Sequence, residues 1–175
     1  MIRPADANET AAAWRVHLEG SGPSAIVLSR QNLPVLEGTA ALAGAGVAAG
    51  AYVLERESGA RPDVVLIGTG SEVALCVEAR AALAAAGTDA RVVSMPSWDL
   101  FAARSDAERA EVLPEGVPRL SVEAGTTFGW ARWADDSIGI DTFGASAPGG
   151  VALERFGFTV DAVVRRATAL VGGGA

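Results

Sequence analysis

The sequence predicts a three-layer α/β fold, a mainly parallel sheet with helices on both faces, preceded by a partial β–α–β unit. Three observations carry this. Short apolar runs alternate with segments whose apolar residues recur at helical spacing, the order that crossovers between parallel strands require. Half of the 175 residues are hydrophobic but only 6% are aromatic, which favours small side chains that let helices lie close on a sheet. Ser, Thr and Asp stand ahead of the helical segments and Gly behind them, as capping chemistry asks.

Residues 1–30 read as a β–α–β unit that lacks the rest of its sheet. Arg3-Pro4-Ala5 is a turn, and Asp6 with Glu9 three residues on resembles a capping box. Ala7, Ala11, Trp14 and Leu18 recur at helical spacing, and Gly20 and Gly22 stop the helix. Ala25 to Leu28 is a short buried-strand run. Such a unit alone buries its faces poorly, so residues 1–30 are expected to be loosely held or paired with another chain. Residues 33–50, opening on Leu33-Pro34 and rich in Gly and Ala, have the composition of a linker.

The rest alternates. Ala51–Leu54 predicts a strand, at an edge if anywhere, and Asp63–Ile67 a strongly apolar one. Ser71 is placed to cap a helix reaching Ala86, with Val73, Cys76, Val77 and Leu83 on its apolar face and Gly87 ending it. Ala90–Met95 is the next strand, stopped by Pro96. Ser105 and Glu108 form a capping box ahead of a short helix to Leu113. Strands follow at Arg119–Glu123 and Ser137–Ile140, with a helical stretch around Phe128–Ala134 between them. Thr159 caps a last helix lined by Val163, Val164, Ala167, Leu170 and Val171, and the Gly172-Gly173-Gly174 tail is expected to fray.

Composition narrows the function. The net charge is −7 with no basic cluster, which speaks against a nucleic-acid or acidic-membrane surface. The single cysteine, Cys76, and single histidine, His17, exclude an internal disulfide and a Cys- or His-rich metal site. No apolar run approaches the roughly 20 residues of a membrane span, and the N-terminus lacks the order of a secretory signal. A cytoplasmic setting is the expectation.

Few residues are placed for chemistry. Gly68-Thr69-Gly70-Ser71-Glu72 has the strand–turn–helix form that cradles phosphates, but it lacks a third glycine and a P-loop Lys. Glu72 there would repel an anion, so a tight βα turn is the better reading. Ser29-Arg30-Gln31-Asn32 leaves the end of a strand, where open α/β sheets place ligand contacts. Arg30 there would grip a phosphate or carboxylate with two parallel hydrogen bonds, or hold a neighbouring acid or a domain interface. His17 has no partner for a triad. Cys76 reads as an inert core thiol, and Glu123 at a strand end as a carboxylate satisfied by backbone amides or a functional one. Trp98, Trp130 and Trp133 read as packing anchors.

Several segments together resemble the transketolase family. Leu28-Ser29-Arg30-Gln31-Asn32-Leu33-Pro34 is similar to the loop after the last strand of its pyrimidine-binding domain. The resemblance continues in order through Gly68–Val73, Val92–Ser97, Ser121–Gly125, Phe143–Pro148 and Phe156–Thr159, and Arg3–Asp6 fits the segment ahead of the loop. It implies the end of a pyrimidine-binding domain over 1–32, a linker over 33–50 and a C-terminal α/β domain over 51–175. Transketolases move a two-carbon ketol unit between sugar phosphates in the pentose phosphate pathway, using thiamine diphosphate and a divalent cation (Mg or Ca). The resemblance implies that Arg30 and Ser29 are substrate-binding, Arg30 taking the sugar phosphate, with Ser29, Gln31 and Asn32 shaping the loop. The Gly-Asp-Gly cofactor motif, the acidic activator and the active-site histidines have no counterpart in this sequence, so neither cofactor nor cation is expected to bind this chain. The implied parent partners are sugar phosphates and either a homodimer or an N-terminal transketolase chain. A 1-deoxyxylulose-5-phosphate synthase, a dehydrogenase E1 β-type chain, or a stand-alone α/β binding or dimerisation module are the alternatives.

Overall fold

The computed structural model describes residues 1–173. Five strands form one sheet: β1 (Tyr52–Glu55), β2 (Val64–Gly68), β3 (Ala90–Ser94), β4 (Arg119–Val122) and β5 (Asp136–Ile138). Their spatial order is β1-β3-β2-β4-β5. β2, β3, β4 and β5 run parallel, with Leu66 beside Val92 on one side and Leu120 on the other. β1 is antiparallel to β3, and its register shifts between Val53 and Glu55. Among the described residues the order is completed by seven α-helices, α1 (Ala7–Glu19), α2 (Thr39–Ala49), α3 (Glu72–Ala85), α4 (Trp98–Ala102), α5 (Asp106–Val112), α6 (Gly149–Arg155) and α7 (Val160–Gly172). One 3-10 turn, Trp130–Arg132, stands within the helical stretch expected around Phe128–Ala134.

β2 is buried along its whole length, so its alternation divides between two cores rather than between core and solvent. Val64 and Leu66 meet Cys76, Leu83, Val163 and Ala167 of α3 and α7 on one face. Val65 and Ile67 meet Phe101, Leu113, Trp130 and Trp133 on the other. The three-layer reading therefore holds, and Trp130 and Trp133 are core anchors. Trp98 packs edge-on to Trp130 with ring centroids 4.8 Å apart. Ser105 and Glu108 form the expected capping box, and the Thr159 hydroxyl accepts from the Ala162 N–H. Gly172 ends α7 and the Gly173 N–H donates to Ala169 O, whereas Gly174 of the expected fraying tail lies outside the described residues.

Several expectations change. The stripe Ala7, Ala11, Trp14 and Leu18 faces outward on α1; the buried positions are Glu9, Ala12 and Ala13. A carboxylate is tolerated inside because it is saturated with donors. Glu9 Oε1 accepts from the Tyr52 hydroxyl (2.7 Å) and the Ser94 hydroxyl (2.6 Å), and Oε2 from the Ala5 N–H (2.7 Å). Glu9 thus turns to Ala5 rather than back to the Asp6 N–H, while Asp6 still accepts from the Glu9 N–H.

The stretch expected as a linker contains α2. Its Gly46 is present for packing: a Cβ there would lie 2.2 Å from Tyr52 Cδ1. The apparent linker glycines Gly38 and Gly50 flank the helix at φ +84° and +83°, a backbone that side chains disfavour. Ser71 makes no capping bond, because its backbone is already helical (φ −58°, ψ −24°) rather than extended. Its hydroxyl donates to Glu72 Oε1 instead, at 2.5 Å.

The N-terminal segment is held more firmly than a lone unit suggests. Ile2 is buried among Ala12, Ala13, Ala43 and Val47, and the Arg3 N–H donates to Pro96 O. The strand expected over Ala25–Leu28 is reduced to one parallel bridge, Ile26 to Ile2, with Val27 and Leu28 exposed.

Candidate functional site

In this strand order the chain leaves β2 toward β3 on one side and returns to β4 on the other, so the sheet's switch point lies between the carboxyl ends of β2 and β4. Open α/β sheets bind ligands in that crevice. Here it contains Arg3. The Arg3 guanidinium pairs with Glu123 through Nη1, and its Nη2 lies 3.5 Å from Glu72 Oε2. Glu72, 3% exposed, also accepts from the Ala124 N–H at 2.9 Å. Glu123 Oε2 accepts from Trp130 Nε1 at 2.7 Å. Gly70, at φ +61°, closes the turn around the arginine: a Cβ there would meet Arg3 Nη2 at 3.3 Å.

A cleft of about 360 Å³ remains beside this cluster, bordered by Arg3, Thr69, Met95, Trp98, Asp99, Glu123 and Phe128. Phe128, 86% exposed, stands at its rim on the loop after β4. That loop is tied to the one after β5 by Asp141, which accepts from the Thr127 N–H (2.8 Å), the Thr127 hydroxyl (2.7 Å) and the Thr126 hydroxyl (3.0 Å). Those bonds hold the Asp141 carboxyl below its ordinary range.

Of the residues singled out in sequence, Ser29 is half-buried and Arg30 exposed. Among the described residues no carboxylate pairs with Arg30, and it does not join Arg3, Glu72 and Glu123. Its neighbours Gln31, Leu33 and Pro34 border a cleft of about 260 Å³ against Ser71, Glu72 and Leu75. The loop therefore faces the first turn of α3 across that cleft, with Glu72 between it and the Arg3 cluster. Glu123 is satisfied, by Arg3 and Trp130 rather than by backbone amides. Cys76 is wholly buried, and burial followed by the Glu72 charge pushes its thiol well up. His17 is half-buried, with Nδ1 lacking a partner.

The Arg3–Glu72–Glu123 cluster escaped sequence reasoning, because its members lie 69 and 120 positions apart and Arg3 read as part of a turn. Thiamine diphosphate does not fit the residues present. At the glycine turn the one guanidinium, Arg3, is already taken by Glu123 and Glu72, two carboxylates that would repel a diphosphate there. Among the described residues no three His, Cys, Asp or Glu side chains converge on a metal position.

A family model described as the transketolase-like TK C-terminal domain matches residues 50–159. The chain belongs to the transketolase family. It is 52% identical over 177 residues to a transketolase of Geobacillus stearothermophilus, covering 98% of this chain and 26% of that relative. A transketolase structure from Leishmania mexicana superposes with a TM-score of 0.92 at 42% identity, over 98% of this chain and 25% of the other. A transketolase of Pichia stipitis in complex with sedoheptulose-7-phosphate gives 0.90 at 38% identity, over 98% of this chain and 25% of the other. This transketolase sequence thus spans about a quarter of the length of these relatives. The stand-alone module and the other thiamine enzymes are not favoured. No helix of the described residues is long and apolar enough to cross a membrane.

Proposed function

We propose that this chain serves as the C-terminal part of a transketolase, with Arg30 as a sugar-phosphate contact and the α/β domain as an assembly scaffold. The observation that carries the reading is the state of Arg30. Arg30 is exposed, meets no carboxylate among the described residues, and sits on a loop whose next residues face α3 across a cleft. An arginine in that condition is ready to take a phosphate with two parallel hydrogen bonds. Ser29 beside it shapes the loop. The sugar-phosphate complex of the Pichia stipitis transketolase supports the substrate class by kinship.

Thiamine diphosphate and its divalent cation belong, in this reading, to other regions of the assembled enzyme. The outward stripe of Ala7, Ala11, Trp14 and Leu18, together with exposed Val27 and Leu28, supports packing against further transketolase polypeptide, in a homodimer or with an N-terminal chain. The division of residues 1–32 from the C-terminal domain and the cytoplasmic setting belong to the same proposal.

In the assembled enzyme, Arg30→Gln is expected to raise KM for phosphorylated ketoses while leaving unphosphorylated ones nearly unaffected. The charge-assisted pair lost is of the kind worth about 1.5–3 kcal/mol, roughly ten- to a hundredfold in KM. Equal effects on both substrate classes would remove Arg30 from the phosphate site. Ketol transfer by the 175-residue chain alone would overturn the assignment of the cofactor to other regions.

A further inference from the structure

At the other end of the strands, where β4 begins at Arg119, lies a groove of about 320 Å³ unrelated to the Arg3 cluster or the Arg30 loop. Arg109, Arg119 and Arg132 line it with Trp133, against two carboxylates, Asp106 and Glu115. The local balance is positive in a chain whose net charge is −7. Arg109 is committed: it pairs with Asp106 and donates to the Ala102 and Arg104 carbonyls. Arg119 donates through Nη2 to Leu113 O (3.0 Å) and Pro114 O (3.1 Å), but its Nε is buried with no acceptor. Trp133 is 5% exposed and its Nε1 is likewise buried with no acceptor.

Among the described residues, three buried side-chain nitrogens or oxygens lack a partner, and two of them belong to side chains that line this groove. Both are obligate donors. A buried N–H without an acceptor is unfavourable, and native structures rarely keep one without a reason. Two such groups in one basic groove ask for the same thing, an acceptor from outside the chain. The exposed Arg132 meets no carboxylate among the described residues; its guanidinium carbon lies 4.7 Å from the Trp133 ring centroid.

We propose that this groove binds a phosphate-sized oxyanion, with Arg132 as its mobile cation and Arg119 Nε and Trp133 Nε1 as donors. Both nitrogens are screened from bulk water, so Arg132 must swing off the Trp133 ring for the anion to reach them. Glu115 on the rim and the Asp106–Arg109 pair limit the excess charge, which suits a small anion rather than a polyanionic chain.

The test is a titration of the ¹⁵N-labelled full chain with inorganic phosphate, and separately with acetate, at ionic strength held constant with sodium chloride. The expected result is a saturable downfield shift of the Trp133 indole N–H and the Arg119 Nε–H, fitting one dissociation constant. Arg132→Gln, an exposed change that leaves the fold intact, is expected to weaken binding about tenfold through loss of a charge-assisted contact. Saturation by either oxyanion supports the site, and the tighter binder decides between a phosphate and a carboxylate ligand. An unmoved Trp133 indole, shifts that fail to saturate, or unchanged affinity in Arg132→Gln would overturn the proposal.

Discussion

Replacing Arg3 with Met tests whether the switch-point cluster holds the molecule together. The substitution keeps most of the aliphatic stem and removes the charge from between Glu72 and Glu123. Breaking a buried ion pair by deleting one partner costs about 3–5 kcal/mol, since it strands the other charge. Neither carboxylate here is stranded completely: Glu72 keeps the Ala124 N–H and the Ser71 hydroxyl, and Glu123 keeps the Trp130 indole. Arg3 and Glu123 are also 17% and 15% exposed, so water compensates in part. The expected loss is therefore at the low end, about 3 kcal/mol. With a urea slope of about 2 kcal/mol/M, the unfolding midpoint should fall by about 1.5 M. Circular dichroism measures it, and a cycle with Glu123→Gln separates the pair from its surroundings. The double variant should fall short of additivity by about 1–2 kcal/mol. A midpoint drop below about 0.5 M would mean that Arg3 behaves as a surface charge. Additivity within about 0.5 kcal/mol would mean that Arg3 and Glu123 are not coupled.

Other elements give equally direct expectations. Burial pushes the Glu9 carboxyl up, against hydrogen bonds from Ser94, Ala5 and Tyr52 that pull it down. A folded-state value above the unfolded one contributes stability at low pH that is lost as pH rises through and above the ordinary carboxyl range. Relative to Glu9→Gln, the unsubstituted chain should therefore be most favoured in acid; urea midpoints between pH 4 and 8 that move in parallel would contradict this. Gly46→Ala drives a methyl into the Tyr52 ring, at 2.2 Å from Cδ1, and overpacking of this kind costs about 1–3 kcal/mol, read as a lower Tm. Thr159→Ala removes the acceptor of the Ala162 N–H at the start of α7 and should cost about 1 kcal/mol by urea titration, with a change under a few tenths arguing against the cap.

The parallel core was legible because its signals are local. Val64 to Ile67 is a continuous apolar run, Gly87 stops α3 at φ +84°, and the Ser105–Glu108 box needs only its own four residues. What was missed depends on partners remote in sequence. The face of α1 was inverted because spacing cannot show that Ala5, Tyr52 and Ser94 supply donors to Glu9. Helix α2 hid behind its glycines, since a glycine that admits the Tyr52 ring looks in sequence like one that confers flexibility. Arg30 is a candidate through resemblance to a family loop; its type and spacing alone leave a phosphate grip and a structural ion pair equally open. The Arg109–Arg119–Arg132 groove has no sequence signature, because its arginines converge only when β4 and the turn at Trp130–Arg132 are in place.

The irregular register of β1 bears on how this molecule meets others. A straight outer strand offers a ladder of unpaired amides and carbonyls to any passing chain. The pairing of β1 with β3 slips between Val53 and Glu55, which bends that outer strand, and the opposite border, β5, is only three residues long. A bulge twists a border out of register for pairing, and a three-residue border gives an added strand little to grip. Both borders of the sheet are thus poor templates for an added strand. What the surface offers a neighbour is side chains, such as the outer stripe of α1, and contacts of that kind separate without unzipping backbone.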